Sequence, residues 1–411
     1  MKNPCLLLLL FFSLQLQARE IVVCKGCEIK TVKAAVEMAE DGDVIRIKSG
    51  TYKENDIRIL HKSISIIGEH FPVIDAEMRG TAFSIQADNV SLEGLKIINI
   101  GKSHTSNFAA VLMAHSKNFR LVNNRLENVF FGFLIEKSSE GEISGNIIRS
   151  KSVEEANSGN GIHMWHSKNI TISKNKVSGT RDGIYLEFTG NSIISNNICS
   201  ENLRYGLHFM FSDHNKYLDN TFERNGAGVA VMYSKFIEMH RNIFRKNWGS
   251  AAYGLLLKEI SDAELKHNIF EDNTVAISAD GTNRIKYVEN EFLGNGYGVK
   301  VRGGCYNNVF TRNNFEHNAF DIGYAGALND NSFDSNFWSD YSGYDLDKNG
   351  IGDVPYRPVK LFSYLVNQSP EAIVLLRSLF IDLVDFSEKV SPIFTPADLA
   401  DTNPQMKKNL W

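Results

Sequence analysis

Proline is missing from residues 73 to 354: of eight prolines one is Pro4, one is Pro72, and six lie between Pro355 and Pro404. A stretch of that length without proline suits a structure in which every strand donates backbone hydrogen bonds to a neighbour. Cysteine is scarce, with five in 411 residues, so a disulfide-built scaffold is excluded. No excess of basic residues is present. Lys+Arg is 44 against Asp+Glu 48, and that balance disfavours a nonspecific grip on a nucleic acid backbone. Long apolar runs are also absent after the first few residues. The opening run Cys5 to Phe12 follows Lys2 and precedes Leu16-Gln17-Ala18, the pattern of a secretory signal over residues 1–18. It is far short of the ~20 apolar residues a spanning helix needs. Cys5 lacks the small-residue context of a lipoprotein site. An exported address permits disulfides, and Cys24-Lys25-Gly26-Cys27 is expected to be either a tight disulfide or a soft-metal clip, with Cys199 and Cys305 as buried thiols.

What the chain has in abundance is asparagine, 40 residues of it. The motif Asn-x-apolar recurs at Asn124, Asn146, Asn175, Asn197, Asn220, Asn242, Asn268, Asn290, Asn313 and Asn336, with spacings of 22, 29, 22, 23, 22, 26, 22, 23 and 23. A small residue opening an apolar run keeps the same step: Ala110, Gly132, Gly161, Gly183, Gly206, Gly228, Gly254, Ala276 and Gly298. Both series lengthen at the same rungs. A unit of this size is either a leucine-rich repeat or one coil of a β-helix. Short β-branched and aromatic segments separated by Asn, Gly and Ser favour the β-helix. The expected fold is all-β, a right-handed parallel β-helix of roughly 13 coils over residues 43–340. Residues 19–42 would supply a strand and a capping helix, the helical spacing covering 29–41. Residues 341–411 would form an Asx-rich turn and a segment that either docks on a partner or closes the last coil. Its helix from Ser369-Pro370 to about Lys389 carries Arg377, Asp382 and Asp385, charges that forbid a membrane span.

Strand side chains alternate. After each marker Gly, offsets one and three are apolar and point inward. Offsets two and four then form an outer stripe: His163 and Trp165, Tyr185 and Glu187, His208 and Met210, Ala230 and Met232, Leu256 and Lys258. Thioether and imidazole together suit Cu(I), which makes His208, Met210 and Met232 candidate ligands, with His163 two coils away, ~10 Å. The competing reading is packing beneath a loop or partner. His166, His214 and Met239-His240 add soft-ligand capacity near turns. Asp345, Asp347, Asn349 and Asp353, with Gly350 sixth in the run, are spaced as in a calcium loop, although Tyr356 stands where its bidentate Glu belongs. A plain Asx-rich turn is the alternative. An enzyme acting on acidic polysaccharides, as lyase, hydrolase or epimerase, would need clustered carboxylates. Here only Glu136, Glu187, Lys258 and the pair Arg181-Asp182 approach that.

The blocks Gly159-Asn160-Gly161-Ile162-His163, Arg204-Tyr205-Gly206-Leu207-His208-Phe209-Met210-Phe211 and Gly226-Ala227-Gly228-Val229-Ala230-Val231-Met232, with the opening Cys-Lys-Gly-Cys and the tail Pro355-Tyr356-Arg357-Pro358-Val359-Lys360, carry a further resemblance. In them the chain resembles the NosD family of periplasmic, copper-handling maturation proteins of nitrous oxide reductase. The resemblance spans essentially the whole mature chain. It implies a non-enzymatic accessory protein at the periplasmic face of the inner membrane. The implied partners are the ATPase and membrane permease of an ABC transporter, nitrous oxide reductase itself, and a copper-donating lipoprotein chaperone. The implied cargo is transient Cu(I), with sulfur as a second candidate. It assigns no ligand residues.

Overall fold

The computed structural model describes residues 19–103, 105–249, 252–324, 330–376, 378–390 and 399–411; the expected signal at 1–18 lies outside them. Within these residues the chain winds through three parallel sheets in a repeating order. The first has 14 strands, from Glu20–Val23 to Asp330–Asp334. The second has 13, from Thr51–Lys53 to Phe337–Trp338, and the third 12, from Ile57–Leu60 to Phe320–Tyr324. The solenoid has about 14 turns, one more than the sequence suggests, because Glu20–Val23 pairs in parallel with Val44–Ile47 and adds a rung ahead of residue 43. No helix among the described residues is long and apolar enough to cross a membrane.

The asparagine marker is the spine of this winding. Each marker Asn is buried. In Asn242, for example, the backbone N–H and one Nδ2 hydrogen both donate to Oδ1 of Asn268, at 2.9 and 3.0 Å, and Nδ2 also donates to the Tyr217 carbonyl. The same bonds repeat from Asn124 to Asn336, so the side-chain amide of each rung is satisfied within the stack. Two positions on, the apolar members of the motif stack face to face inside the coil: Phe244 on Phe270 at 4.6 Å, Phe292 on Phe315 at 4.5 Å and Phe315 on Trp338 at 4.3 Å. The glycine marker has a steric cause. A Cβ at Gly183 would lie 2.5 Å from the Gly206 carbonyl oxygen of the next rung.

Both ends are closed. Helix Val32–Met38, shorter than the 29–41 spacing suggests, buries Val32, Ala35 and Val36, and Thr31 caps its Ala34 N–H. The Glu54 carboxylate accepts from the N–H groups of Val32 and Lys33, a negative charge at the positive end of the helix. At the other end residues 399–411 return to the last coil. Phe333 bridges Asp401 and Phe337 bridges Gln405 in parallel. The Asp401 carboxylate accepts from Asn336 N, Asn336 Nδ2 and Trp338 Nε1 at 2.9, 2.9 and 3.1 Å. Between these, helices Leu361–Gln368 and Leu379–Val390 form a hairpin in which Phe362, Val366 and Ile381 pack on Phe320 of the third sheet. Arg377 lies outside the described residues, as do the side chains of Asp382 and Asp385.

The two alternatives for the C-terminal segment therefore divide between its parts: the last residues are a cap, while the helical hairpin leaves an apolar face uncovered. Asp401→Ala strands two donors of Asn336 and the Trp338 indole. The expected loss is about 1–3 kcal/mol per orphaned group, read as a lower urea midpoint, with Asp401→Asn losing less. A chain ending at residue 365 is expected to unfold more easily still. Unchanged midpoints would show that the tail does not close the ladder.

Candidate functional site

The outer face of the third sheet is built from the strands Ile162–Trp165, Asp182–Glu187, Tyr205–Met210, Ala227–Met232 and Leu255–Lys258. Their register sets two columns. His163, Tyr185, His208, Ala230 and Leu256 are direct neighbours in one, and Trp165, Glu187, Met210, Met232 and Lys258 in the other. Inward residues of the same strands, such as Ile162, Met164, Leu207 and Phe209, are fully buried. The face is less open than strand alternation alone implies: Trp165, Tyr185, Glu187, Met210 and Met232 are half-buried, and His208 keeps only 4% of its surface. Two lengthened repeats adjoin this face. The extra residues of the 29-residue interval, with the short turn Glu155–Asn157, and those of the 26-residue interval, near Trp248, lie at the corner leading into this sheet. Tyr253, just after the second insertion, donates from its hydroxyl to that of Tyr205 at 3.3 Å.

Met210 and Met232 are brought together as direct partners on adjacent rungs. The histidines are not. His163, Tyr185 and His208 interleave edge to face at 4.7 and 4.9 Å, so Tyr185 separates the two imidazoles. His208 has a competing engagement, since the Arg204 Nη2 donates to its Nδ1 at 3.1 Å. A guanidinium can only donate, so Nδ1 is the acceptor and the proton sits on Nε2. Neither ring nitrogen then offers a free lone pair to a metal. The copper set of His208, Met210, Met232 and His163 thus reduces, in this geometry, to the two thioethers.

Behind His208 lies a network that sequence reasoning credited only in part. Asp182, fully buried, accepts from the Tyr205 N–H at 3.3 Å and pairs with Arg204 at 3.4 Å and Arg181 at 3.6 Å. Burial raises its carboxyl above the ordinary range against the pull of both guanidiniums. Burial, with Arg204 and Arg181 beside it, lowers His208 to about 3; burial and Arg181 lower His163 to about 4. Burial raises Tyr185 to about 12. A second missed feature is the corner beyond the Met column, where His166, Phe188, Phe211 and Tyr233 stack at 4.6, 5.1 and 5.1 Å. The signal was present: Phe188, Phe211 and Tyr233 each follow Glu187, Met210 and Met232 by one residue.

The other candidates resolve more simply. Cys24 and Cys27 form a disulfide, and Cys199 and Cys305 are free and buried. In the Asp345–Asp353 loop, Asp345 accepts from the N–H groups of Asn349 and Gly350, Asp347 from Asn349, Asn349 Oδ1 from Ile351, and Asp353 from Leu346, the bonding of an Asx-rich turn. Among the described residues no three His, Cys, Asp or Glu side chains gather as a metal group. Glu136 and Glu187 share a column but Trp165 stands between them. His214 stacks on Phe236, Met239 is buried, and His240 faces Glu264 at 3.1 Å.

Fold and site together define a parallel β-helix whose third sheet carries a soft-ligand and cationic outer face. Residues 144–343, which contain the whole stripe, match the family model described as "Periplasmic copper-binding protein (NosD)". The chain is 28% identical over 356 residues to a "Probable ABC transporter binding protein NosD" of Pseudomonas aeruginosa, covering 81% of this chain and 82% of that one. To the protein of the same description in Stutzerimonas stutzeri it is 26% identical, over 82% and 80% of the two chains. Over these stretches the chain is similar to proteins described as NosD. Among solved structures it is similar in fold to the A-module of the Azotobacter vinelandii mannuronan C-5 epimerase AlgE6, with a TM-score of 0.58 at 13% identity over 73% and 91% of the chains. A Yersinia enterocolitica family 28 exopolygalacturonase gives 0.55 at 10% identity over 77% and 78%. These two share the winding of the backbone.

The buried imidazoles generate a pH expectation. An unfolded histidine titrates near 6.5, whereas folded His163 and His208 hold out to about 4 and 3. Their contribution to stability is present above about pH 6.5 and is lost as pH falls toward the folded values. Nitrogen NMR at pH 5 should find both rings neutral; imidazolium signals there would contradict the packing.

Proposed function

We propose that the chain is a periplasmic, non-catalytic component of nitrous oxide reductase maturation that passes Cu(I) across the Met210–Met232 pair in cooperation with an ABC transporter. The observation that carries the reading is the direct register of these two half-buried thioethers on adjacent rungs, inside the stretch that matches the copper-binding family description. Two thioethers favour a soft monovalent ion over zinc or calcium. They also leave its coordination incomplete, which suits an ion that is handed on. A copper-donating lipoprotein would complete the set on arrival, and the reductase would take the ion on departure. Sulfur as a second cargo rests on the family resemblance alone.

The helical hairpin supplies the transporter contact in this proposal. On helix Leu379–Val390 the side chains of Leu379, Phe380, Leu383 and Phe386 are 54–74% exposed, an apolar surface of the kind a partner's groove accepts. Docking of the membrane permease there would hold the protein at the periplasmic face of the inner membrane.

The copper reading is tested by Cu(I) titration against a competing chelator under anaerobic conditions. Replacing Met210 and Met232 together by Leu is expected to weaken binding by roughly 10-fold or more, since each thioether is part of the metal's coordination. Zn(II) should bind poorly, and His208→Gln should change Cu(I) affinity little. Equal Cu(I) affinity in wild type and the Met-less variant would remove the pair as the site.

A further inference from the structure

The atoms that the third-sheet face leaves without partners are of one kind more than another. Buried and without a hydrogen bond are His208 Nε2, Arg204 Nε and Arg181 Nε, all donors, together with Asn160 Oδ1 and Asp182 Oδ2. The two Nε atoms face Asp182 as ion pairs at 3.4 and 3.6 Å, so His208 Nε2 is the donor of this group that faces neither a hydrogen-bond acceptor nor a carboxylate. These atoms belong to three successive rungs, since His163, three residues beyond Asn160, neighbours Tyr185, and Tyr185 neighbours His208. His208 and Asn160 are 4% and 0% exposed, so these are not groups that bulk water satisfies. An orphaned buried donor is costly, and native structures keep such groups where something else completes them.

The donors have a definite chemistry. Arg204 fixes the tautomer of His208, so its Nε2 carries a hydrogen. Tyr185, between the two imidazoles, keeps its phenolic proton far above neutral pH. Among the described residues the carboxylate in contact with the guanidiniums is Asp182, which is already engaged by the Tyr205 N–H and both arginines. It therefore braces the two guanidinium groups. Arg181 and Arg204 follow one another up the stack, the Arg204 N–H donating to the Arg181 carbonyl at 2.8 Å, and their side chains keep 28% and 31% exposure while their Nε atoms are buried. A planar, bidentate donor pair on adjacent rungs matches the geometry of oxyanions.

We infer that Arg181 and Arg204, braced by Asp182 and joined by His208, form a binding site for a small oxyanion. Asn160 stays outside the set, two rungs from His208, with its amide against His163 Nδ1 at 3.2 Å. The site lies beside the thioether pair without sharing a ligand with it, because the nitrogens of His208 are committed as described. It is thus independent of the copper reading.

The test is calorimetric titration of the full chain with inorganic phosphate and with sulfate, chloride serving as the control, on wild type, Arg204→Gln and Arg181→Gln. Saturable binding is expected in wild type, weakened by roughly 10-fold or more in either variant, the effect of losing a charge-assisted hydrogen bond. In labelled wild-type protein the His208 Nε2 resonance should move on adding phosphate, a change that a merely structural histidine would not show. If Arg204→Gln fails to fold, Arg181→Gln decides, because its contact with Asp182 is the longer of the two, 3.6 against 3.4 Å. No saturable heat, or equal affinity in a folded Arg181→Gln, would overturn the site. Cu(I) affinity measured in the same variants is expected to be unchanged, so that the two sites can fail separately.

Discussion

A polarised line of side-chain amides holds this solenoid in register. Every ladder asparagine sends its backbone N–H and one Nδ2 hydrogen to the next rung, and its oxygen accepts from the rung before, as Asn242 donates to Asn268 and accepts from Asn220. The other Nδ2 hydrogen returns to a carbonyl of the rung before, Tyr217 in that case. The line begins where the Leu95 N–H donates to Asn124 Oδ1 and ends on the Asp401 carboxylate. Because the backbone N–H and one amide hydrogen of each rung face forward, the last rung needs an acceptor beyond it, and a carboxylate supplies one. A second line behaves alike. It runs from Thr180 through Asn202, Asn225, Asn247, Asn273 and Asn295 to Asn318, whose Nδ2 donates to Asp321. Burial lifts Asp321 to about 7, so the acid that ends this second line is held there at a desolvation cost.

From this constraint the rest follows. A ladder that uses the backbone N–H of each rung cannot tolerate proline, and the tight approach of rungs at the third sheet demands glycine beside it. Inward positions are filled by stacked rings. Outward positions on the third sheet carry none of these duties, so their chemistry is free to be functional. The corner residues Phe188, Phe211 and Tyr233 show how far that freedom extends: each adopts a left-handed conformation, with φ of 50°, 48° and 52°, at a cost that bulky side chains rarely meet. Equivalent corners elsewhere carry asparagine, as at Asn191 and Asn196.

Much of this was legible in the residues because the ladder repeats. The Asn-x-apolar and Gly spacings locate the coils, and alternation from Gly206 alone puts Leu207 and Phe209 inside and His208 and Met210 outside. The pairing of Met210 with Met232 needs nothing more. What escaped depends on contacts that no repeat encodes. Arg204 reaches His208 four residues on, with Asp182 buried one rung below. Asp401 meets Asn336 from 65 residues away, in a segment with no repeat of its own. The lengths of the two insertions were visible, although their place at the corner leading into the third sheet was not.

The claim that this amide line governs the fold is tested most directly by urea unfolding of Asn242→Ala against Asn196→Ala. Asn242 sits in the middle of the ladder, fully buried, whereas Asn196 is an exposed corner residue. Removing the Asn242 side chain leaves both Asn220 donors, the Tyr217 carbonyl and Asn268 Oδ1 short of partners. At about 1–3 kcal/mol for each buried orphan, the expected outcome is a loss of several kcal/mol at Asn242 and a loss of about 1 kcal/mol or less at Asn196. Equal, small losses at the two positions would contradict the account.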